Sequence, residues 1–224
     1  MAATATGTDQ AVHVGLGGGP RGKNGNGYHG NGHSDGEGFH YSPARYRIGV
    51  WAAIGSILML FVALTSAYIV RSASSNDWQP VAMPKILWLS TALIVISSGT
   101  IEFARRSLKQ DRNAVYGRWL VYTVALGAAF VISQLLAWRQ LVKQGVYLAT
   151  NPYSSFFYLF TAAHGVHLVG GLAALAYLVF RTTRKRDTVE GEMRRVGAAE
   201  AATIYWHFLD ALWIGLFLLL AFWR

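Results

Sequence analysis

Five ionisable side chains stand inside long apolar stretches of this sequence: Glu102, His164, His167, His207 and Asp210. An ionisable group in hydrocarbon is costly, so such residues either pair with one another or serve chemistry. His164 and His167 are three residues apart, which puts both on one helix face, near mid-membrane and about 20 Å from either end of their run. A polar group at that depth needs a partner. His207 and Asp210 repeat the spacing on a later run, where imidazole and carboxylate can hydrogen-bond and offset each other's desolvation. Glu102 precedes Arg105 and Arg106 at i+3 and i+4, the geometry of a local ion pair, or else of a contact with a partner subunit or lipid headgroup. Gln134 adds a neutral polar group in the third run.

Three kinds of chemistry suit these residues. A haem-copper centre needs imidazoles from more helices than two, although a single haem with two axial histidines stays geometrically open. Cross-helix hydrogen bonding, with a lipid bound nearby, asks least of the residues. A proton or substrate pathway is the third. On this reading no residue is assigned as catalytic, cofactor-binding or metal-binding, and the five are candidates for structural, lipid or partner contacts. If His207 and Asp210 are mates, replacing either by Leu strands the other at a cost of about 1 to 3 kcal/mol.

The elements that must position these groups are five apolar runs, at about 48–70, 86–104, 119–138, 154–180 and 201–223. Each is near or above the roughly 20 residues that cross a hydrocarbon core of about 30 Å at 1.5 Å per residue. Their continuous hydrophobicity excludes barrel strands, since backbone amides in lipid must pair internally and barrel strands alternate. The expected fold is all-α, a polytopic membrane protein of five transmembrane helices spanning 46–224. Small residues at Gly127, Ala128 and Ala129, and at Gly165, Gly170 and Gly171, would let neighbouring helices approach closely. No internal repeat suggests the inverted halves of a transporter.

Of the 20 Lys and Arg residues, 15 fall in the amino-terminal segment and in the loops 105–118 and 181–200, which alternate with sparsely charged loops. The amino terminus is therefore expected in the cytoplasm and the carboxyl terminus outside. Trp78, Trp88, Trp119, Trp138 and Trp223 lie near run ends, as interfacial anchors do. The net charge of +9 is explained by loop residues beside anionic lipid, with no basic face for nucleic acid. The absence of cysteine excludes disulfides, iron-sulfur clusters, thiolate zinc sites and c-type haem attachment.

Residues 1–45 form a separate segment that holds half of the 24 glycines. Its Gly and Asn content cannot bury enough apolar area to offset ordering, and it is expected to be a disordered cytoplasmic tail. The scattered His13, His29, His33 and His40 fix no geometry for a specific metal site. The segment lacks the apolar core of a secretory signal, so insertion rests on the first spanning helix.

The runs that carry the histidines also resemble subunit III of the haem-copper oxidases, in its five-helix bacterial form. Residues 205–213, YWHFLDALW, are similar to that family's Y-W-H-F-V-D-x-x-W signature. The stretch 157–170, FYLFTAAHGVHLVG, resembles its F-x-x-T-G-x-H-G-x-H-V-x-x-G helix, which places His164, Gly165 and His167 on the H-G-x-H. Ser97, Ser98, Thr100, Glu102 and Ala104 match its S-S-x-T-x-E-x-A stretch. The resemblance covers about 46–224.

It implies five helices in two groups with a lipid-holding cleft between them. It also implies an accessory, non-redox subunit of a proton-pumping terminal oxidase that binds catalytic subunit I, with subunit II in the same complex. Such a subunit holds phospholipid and sustains proton uptake in the bacterial inner membrane, while haem and copper stay on the partner. Electrons for dioxygen reduction would come from cytochrome c or a quinol. One departure stands out: family members often carry a buried Glu in an S-E-x-x-F-F stretch of the first of these helices, where this chain has Ile57. No role of that carboxylate carries over. Because accessory proteins of nitric oxide reductases are similar to subunit III and sometimes lack the acid, that complex is a second reading. A small proton-coupled transporter using His164, His167, His207 and Asp210 is a third.

Overall fold

A computed structural model describes residues 43–74, 78, 84–182 and 189–223, and the Gly-rich segment with its four histidines lies outside the described residues. Every regular element among them is a helix: α1 (Pro43–Ser74), α2 (Ile86–Lys109), α3 (Asn113–Lys143), α4 (Pro152–Thr182) and α5 (Val189–Phe222). All five are long and apolar enough to cross a membrane. The shortest has 24 residues, a length of about 36 Å. Each helix outruns its apolar stretch at one or both ends, most of all α5, which begins twelve residues before the run at 201.

Short connections fix the order of the helices. Between α2 and α3 the chain reverses within three residues: Asp111 takes a left-handed φ of 57°, and Arg112 N–H donates to Ser107 O at 3.0 Å. After α3, Gly145 at φ 78° supplies the left-handed residue that ends the helix, and Val146 N–H returns to Leu141 O at 3.0 Å. The next helix starts with Pro152 in its first turn, behind a reciprocal cap in which Ser154 N–H donates to Asn151 Oδ1 at 2.9 Å and Asn151 N–H to Ser154 Oγ at 3.2 Å.

Helices α2, α3, α4 and α5 close into a ring, each packed on the next and α5 back on α2, while α1 lies against α4 and α5 only. Among the described residues the α1 backbone packs against neither α2 nor α3. Inside the ring the large side chains of α5 span the diagonal: Trp206 and Trp213 are both fully buried, and Trp206 reaches over Gly127 of α3. Of the small residues picked out by sequence, Gly127 and Gly171 take this role. Nothing lies within 4 Å of a side chain built at Gly165 or Gly170.

At one end, α1 is tied down by aromatics. Tyr68 O–H donates to Trp223 O at 2.5 Å, Tyr153 O–H donates to Leu220 O at 3.0 Å, and Trp78 meets the Tyr68 and Tyr153 rings edge-on at 5.0 and 5.7 Å. Further along, an apolar groove of about 700 Å³ opens between α1 and α5, lined by Phe61, Thr65 and Ile69 on one wall and Phe208, Leu212 and Gly215 on the other.

Candidate functional site

The chemistry-bearing residues gather along one face of α2. Ser and Thr in an apolar helix give their hydroxyl hydrogen to a carbonyl a turn earlier, which leaves oxygen lone pairs for a neighbouring helix. Ser90 and Thr91 donate to Leu87 O at 2.8 and 2.9 Å, and Ser97 donates to Ile94 O at 2.8 Å. Those oxygens then accept from across the ring: Gln134 Nε2 reaches Ser90 at 2.9 Å, Trp213 Nε1 reaches Thr91 at 3.1 Å, and Trp206 Nε1 reaches Ser97 at 3.0 Å. Thr100 Oγ1 meets Thr123 Oγ1 at 2.8 Å. This hydroxyl seam was not singled out from sequence for its chemistry. The signal was present in the seven-residue repeats Ser90 to Ser97 and Thr91 to Ser98, which keep hydroxyls on one stripe of a helix.

The seam changes the partner of His207. Its Nδ1 lies 2.7 Å from Ser98 Oγ, so the expected His207 to Asp210 hydrogen bond does not form. The reason is geometric. Spacing of three leaves both side chains on one face of α5, and it is the Ser98 hydroxyl of α2 that engages the imidazole. Asp210 is 4% exposed, and neither carboxylate oxygen makes a hydrogen bond to a described residue.

The α4 histidines part company as well. His164 is fully buried in the ring, its centroid 5.2 Å from Trp213 and 6.0 Å from Phe130. The hydrogen-bond partner expected for it is not found: neither ring nitrogen bonds to a described residue, and aromatic faces surround it instead. His167 turns toward α1, meeting the Phe61 ring at 5.9 Å, while its Nδ1 contacts Ala163 O on its own helix at 2.7 Å. Tyr205 O–H donates to the His167 carbonyl at 3.2 Å and joins α5 to α4. Among the described residues no three His, Asp or Glu side chains assemble as a metal-ligand set.

Glu102 takes both of its arginines. Arg105 binds it through Nε and Nη2 at 2.8 and 2.9 Å, and Arg106 Nε reaches Oε1 at 3.0 Å. These residues open onto a polar pocket of about 420 Å³ between α1, α2 and α5, lined by Arg47, Glu102, Arg105, Glu200, Thr203 and His207. Lys109 Nζ approaches Glu200 at 4.0 Å on the rim. His207 belongs to both environments, with Nδ1 on Ser98 inside the ring and the rest of its ring at the polar mouth.

A family model described as cytochrome c oxidase subunit III matches residues 33–224, which takes in all five helices. The chain belongs to that family. A probable cytochrome c oxidase subunit 3 of Nocardia farcinica is 34% identical over 188 residues, covering 81% of this chain and 90% of the relative. One of Mycobacterium leprae is 30% identical with the same coverage. The Synechocystis cytochrome c oxidase subunit 3 is 28% identical over 81% of this chain and 77% of its own. Within this subunit III fold, the signature tryptophans of α5, Trp206 and Trp213, are interior fastenings between α5 and α2. Ile57 is 7% exposed and part of the apolar core.

Proposed function

We propose that this multi-pass membrane chain is the accessory subunit III of a haem-copper terminal oxidase in a bacterial cell membrane, seated beside catalytic subunit I with subunit II in the same complex. The observation that carries the reading is that the family match spans the whole bundle while the signature side chains of α5 are committed to holding α5 against α2. On this reading haem and copper belong to the partner. His164 sits between Phe130 and Trp213, and His207 is engaged by Ser98, so neither imidazole projects toward a shared coordination position.

Phospholipid occupies the apolar groove between α1 and α5. In support, the α5 stripe that lines the groove continues through Phe208 to His207 and Ile204 at the polar mouth, where the guanidinium of Arg47 suits a phosphate. The amino terminus faces the cytoplasm, an assignment supported by the clustering of basic residues in alternate loops. The chain organises the complex and sustains its proton uptake without a redox centre of its own.

Purification of the tagged complex tests this. The chain should copurify with a haem-bearing partner that consumes dioxygen, and the dissociated chain should be colourless. A haem spectrum from the chain alone, or a complex that reduces nitric oxide and not dioxygen, would overturn the assignment. Native mass spectrometry should find lipid retained on the chain. Because the sequence has no cysteine, single replacements report sidedness directly: Lys109→Cys should be labelled only from the cytoplasm and Lys143→Cys only from outside.

A further inference from the structure

We propose that a groove between α3 and α4, on helices other than those of the α1 to α5 groove, is a docking site for an anionic phospholipid whose phosphate is held by Arg118. The groove has a volume of about 630 Å³ and opens on the exposed face of α3 beside the end of α4. The missing side chain of Gly117 leaves part of this space open. A Cβ built there would already touch Thr182 Oγ1 of α4 at 3.5 Å.

The walls change from polar to apolar in the direction in which a lipid does. Arg118 and Thr182 stand near the helix ends, since α3 begins at Asn113 and α4 stops at Thr182. Val121 and Val179 lie three residues further in, roughly 4.5 Å deeper along each helix. Val121 and Tyr122 are 47 and 54% exposed, so an acyl chain can lie along them. Depth is marked independently by aromatic rings: Trp119 stacks on Phe103 at 5.2 Å, and Tyr122 meets Trp119 edge-on at 5.8 Å. Such rings gather at the headgroup level of a bilayer, which sets the neighbouring Arg118 at the depth of the phosphates.

Charge selects the headgroup. Arg118 is the one charged side chain on the groove's walls among the described residues, it is exposed, and it pairs with no acid among them. Asp111, the nearest acid in sequence, accepts at Oδ1 from Asn113 Nδ2 at 3.1 Å, and Glu102 is taken by Arg105 and Arg106. A guanidinium fork suits two phosphate oxygens at once. A zwitterionic headgroup would bring an ammonium that Arg118 repels and for which these walls offer no carboxylate. A free phosphate would leave Val121, Tyr122 and Val179 uncovered. An anionic phospholipid satisfies both ends of the groove.

Photo-crosslinking in the intact complex tests the site. The complex carrying Val121→p-benzoylphenylalanine is placed in lipid discs with equal amounts of phosphatidylglycerol and phosphatidylcholine of matched acyl chains. If that variant does not assemble, Ala114 on the same wall carries the probe. Irradiation attaches what lies in the groove, and mass spectrometry of this chain identifies the adduct whichever partner copurifies, so the result stands apart from the assignment to an oxidase. Phosphatidylglycerol adducts should exceed phosphatidylcholine adducts about fivefold, the effect of one basic residue at a membrane surface. Arg118→Gln should bring the ratio near parity, and Arg118→Lys should keep most of it. The same probe at Ile132, 58% exposed further along α3, should show no preference. The proposal is overturned by equal labelling of the two lipids in the groove, by a preference that survives Arg118→Gln, by the same preference at Ile132, or by adducts to another polypeptide in place of lipid.

Discussion

Trp206 of α5 lies across Gly127 of α3 so closely that a Cβ at position 127 would stand 2.7 Å from the indole Cη2. The indole cannot readily give way, because it is fully buried and its Nε1 is fastened to Ser97. Leu172 closes the other side at 2.8 Å. Gly127→Ala is therefore expected to cost about 1 to 3 kcal/mol through overpacking, read as a lower thermal midpoint of the purified complex. Gly165→Ala and Gly170→Ala, which meet open space, should leave the midpoint where it is. Equal losses at all three positions would show that the ring interior is not set by Trp206.

The Trp206 to Ser97 bond is itself measurable. A double-mutant cycle with Trp206→Phe and Ser97→Ala separates the N–H to hydroxyl term from the lost ring volume, which the single Trp206→Phe change mixes together. The expected coupling is about 0.5 to 1.5 kcal/mol. The same cycle on Trp206 and Thr91 should give a coupling near zero, since Thr91 serves Trp213.

The five spans were legible in the sequence because lipid leaves the backbone one economical solution, and hydrophobic length reports it directly. Where the helices end was less legible. The stretch before Ala201 is polar, yet α5 continues through it, with the Arg195 guanidinium 4.9 Å over the Tyr116 ring and Glu200 near Lys109. Such pairs form between elements, and hydropathy along one element does not register them. The partner of His207 was hidden for the same reason. Spacing of three places His207 and Asp210 on one stripe, but which stripe of α2 meets it depends on the register between helices. The i, i+3 and i, i+4 pairs of Glu102 with Arg105 and Arg106 needed no such register and were readable from sequence.

Those ion pairs are predicted to matter little for stability. The side chains of Arg106, Arg105 and Glu102 are 66, 35 and 27% exposed, so solvent screens them. Glu102→Gln should cost no more than about 1 kcal/mol, and the loss should shrink as salt is raised. A larger, salt-independent loss of copurification with the catalytic partner would instead mark Glu102 as part of the subunit contact.

Ser98 is the residue on which the α5 stripe depends at His207. Ser98→Ala removes the hydroxyl that meets Nδ1, and the expected cost is about 0.5 to 1.5 kcal/mol in thermal stability. Asp210→Leu no longer strands His207, since Ser98 still engages it, so His207→Leu and Asp210→Leu should behave differently. His207→Leu leaves Ser98 without its mate and should lower the midpoint. Asp210→Leu removes a buried carboxyl with no hydrogen-bond partner among the described residues and should lower it less, or raise it. Matching losses from the two would restore a direct His207 to Asp210 dependence.

His164 provides the sharpest separation between a structural and a ligating imidazole. Its two ring nitrogens are buried between Phe130 and Trp213 without a hydrogen-bond partner among the described residues. Phe at this position keeps the ring contacts and removes the desolvation cost of the nitrogens, against a small increase in volume. His164→Phe should therefore leave stability within about 1 kcal/mol of the parent or raise it, with assembly and the haem spectrum of the complex unchanged. A ligand cannot be replaced this way. If His164→Phe bleached a haem band while the complex stayed assembled, an accessory subunit without a redox centre would no longer describe this chain.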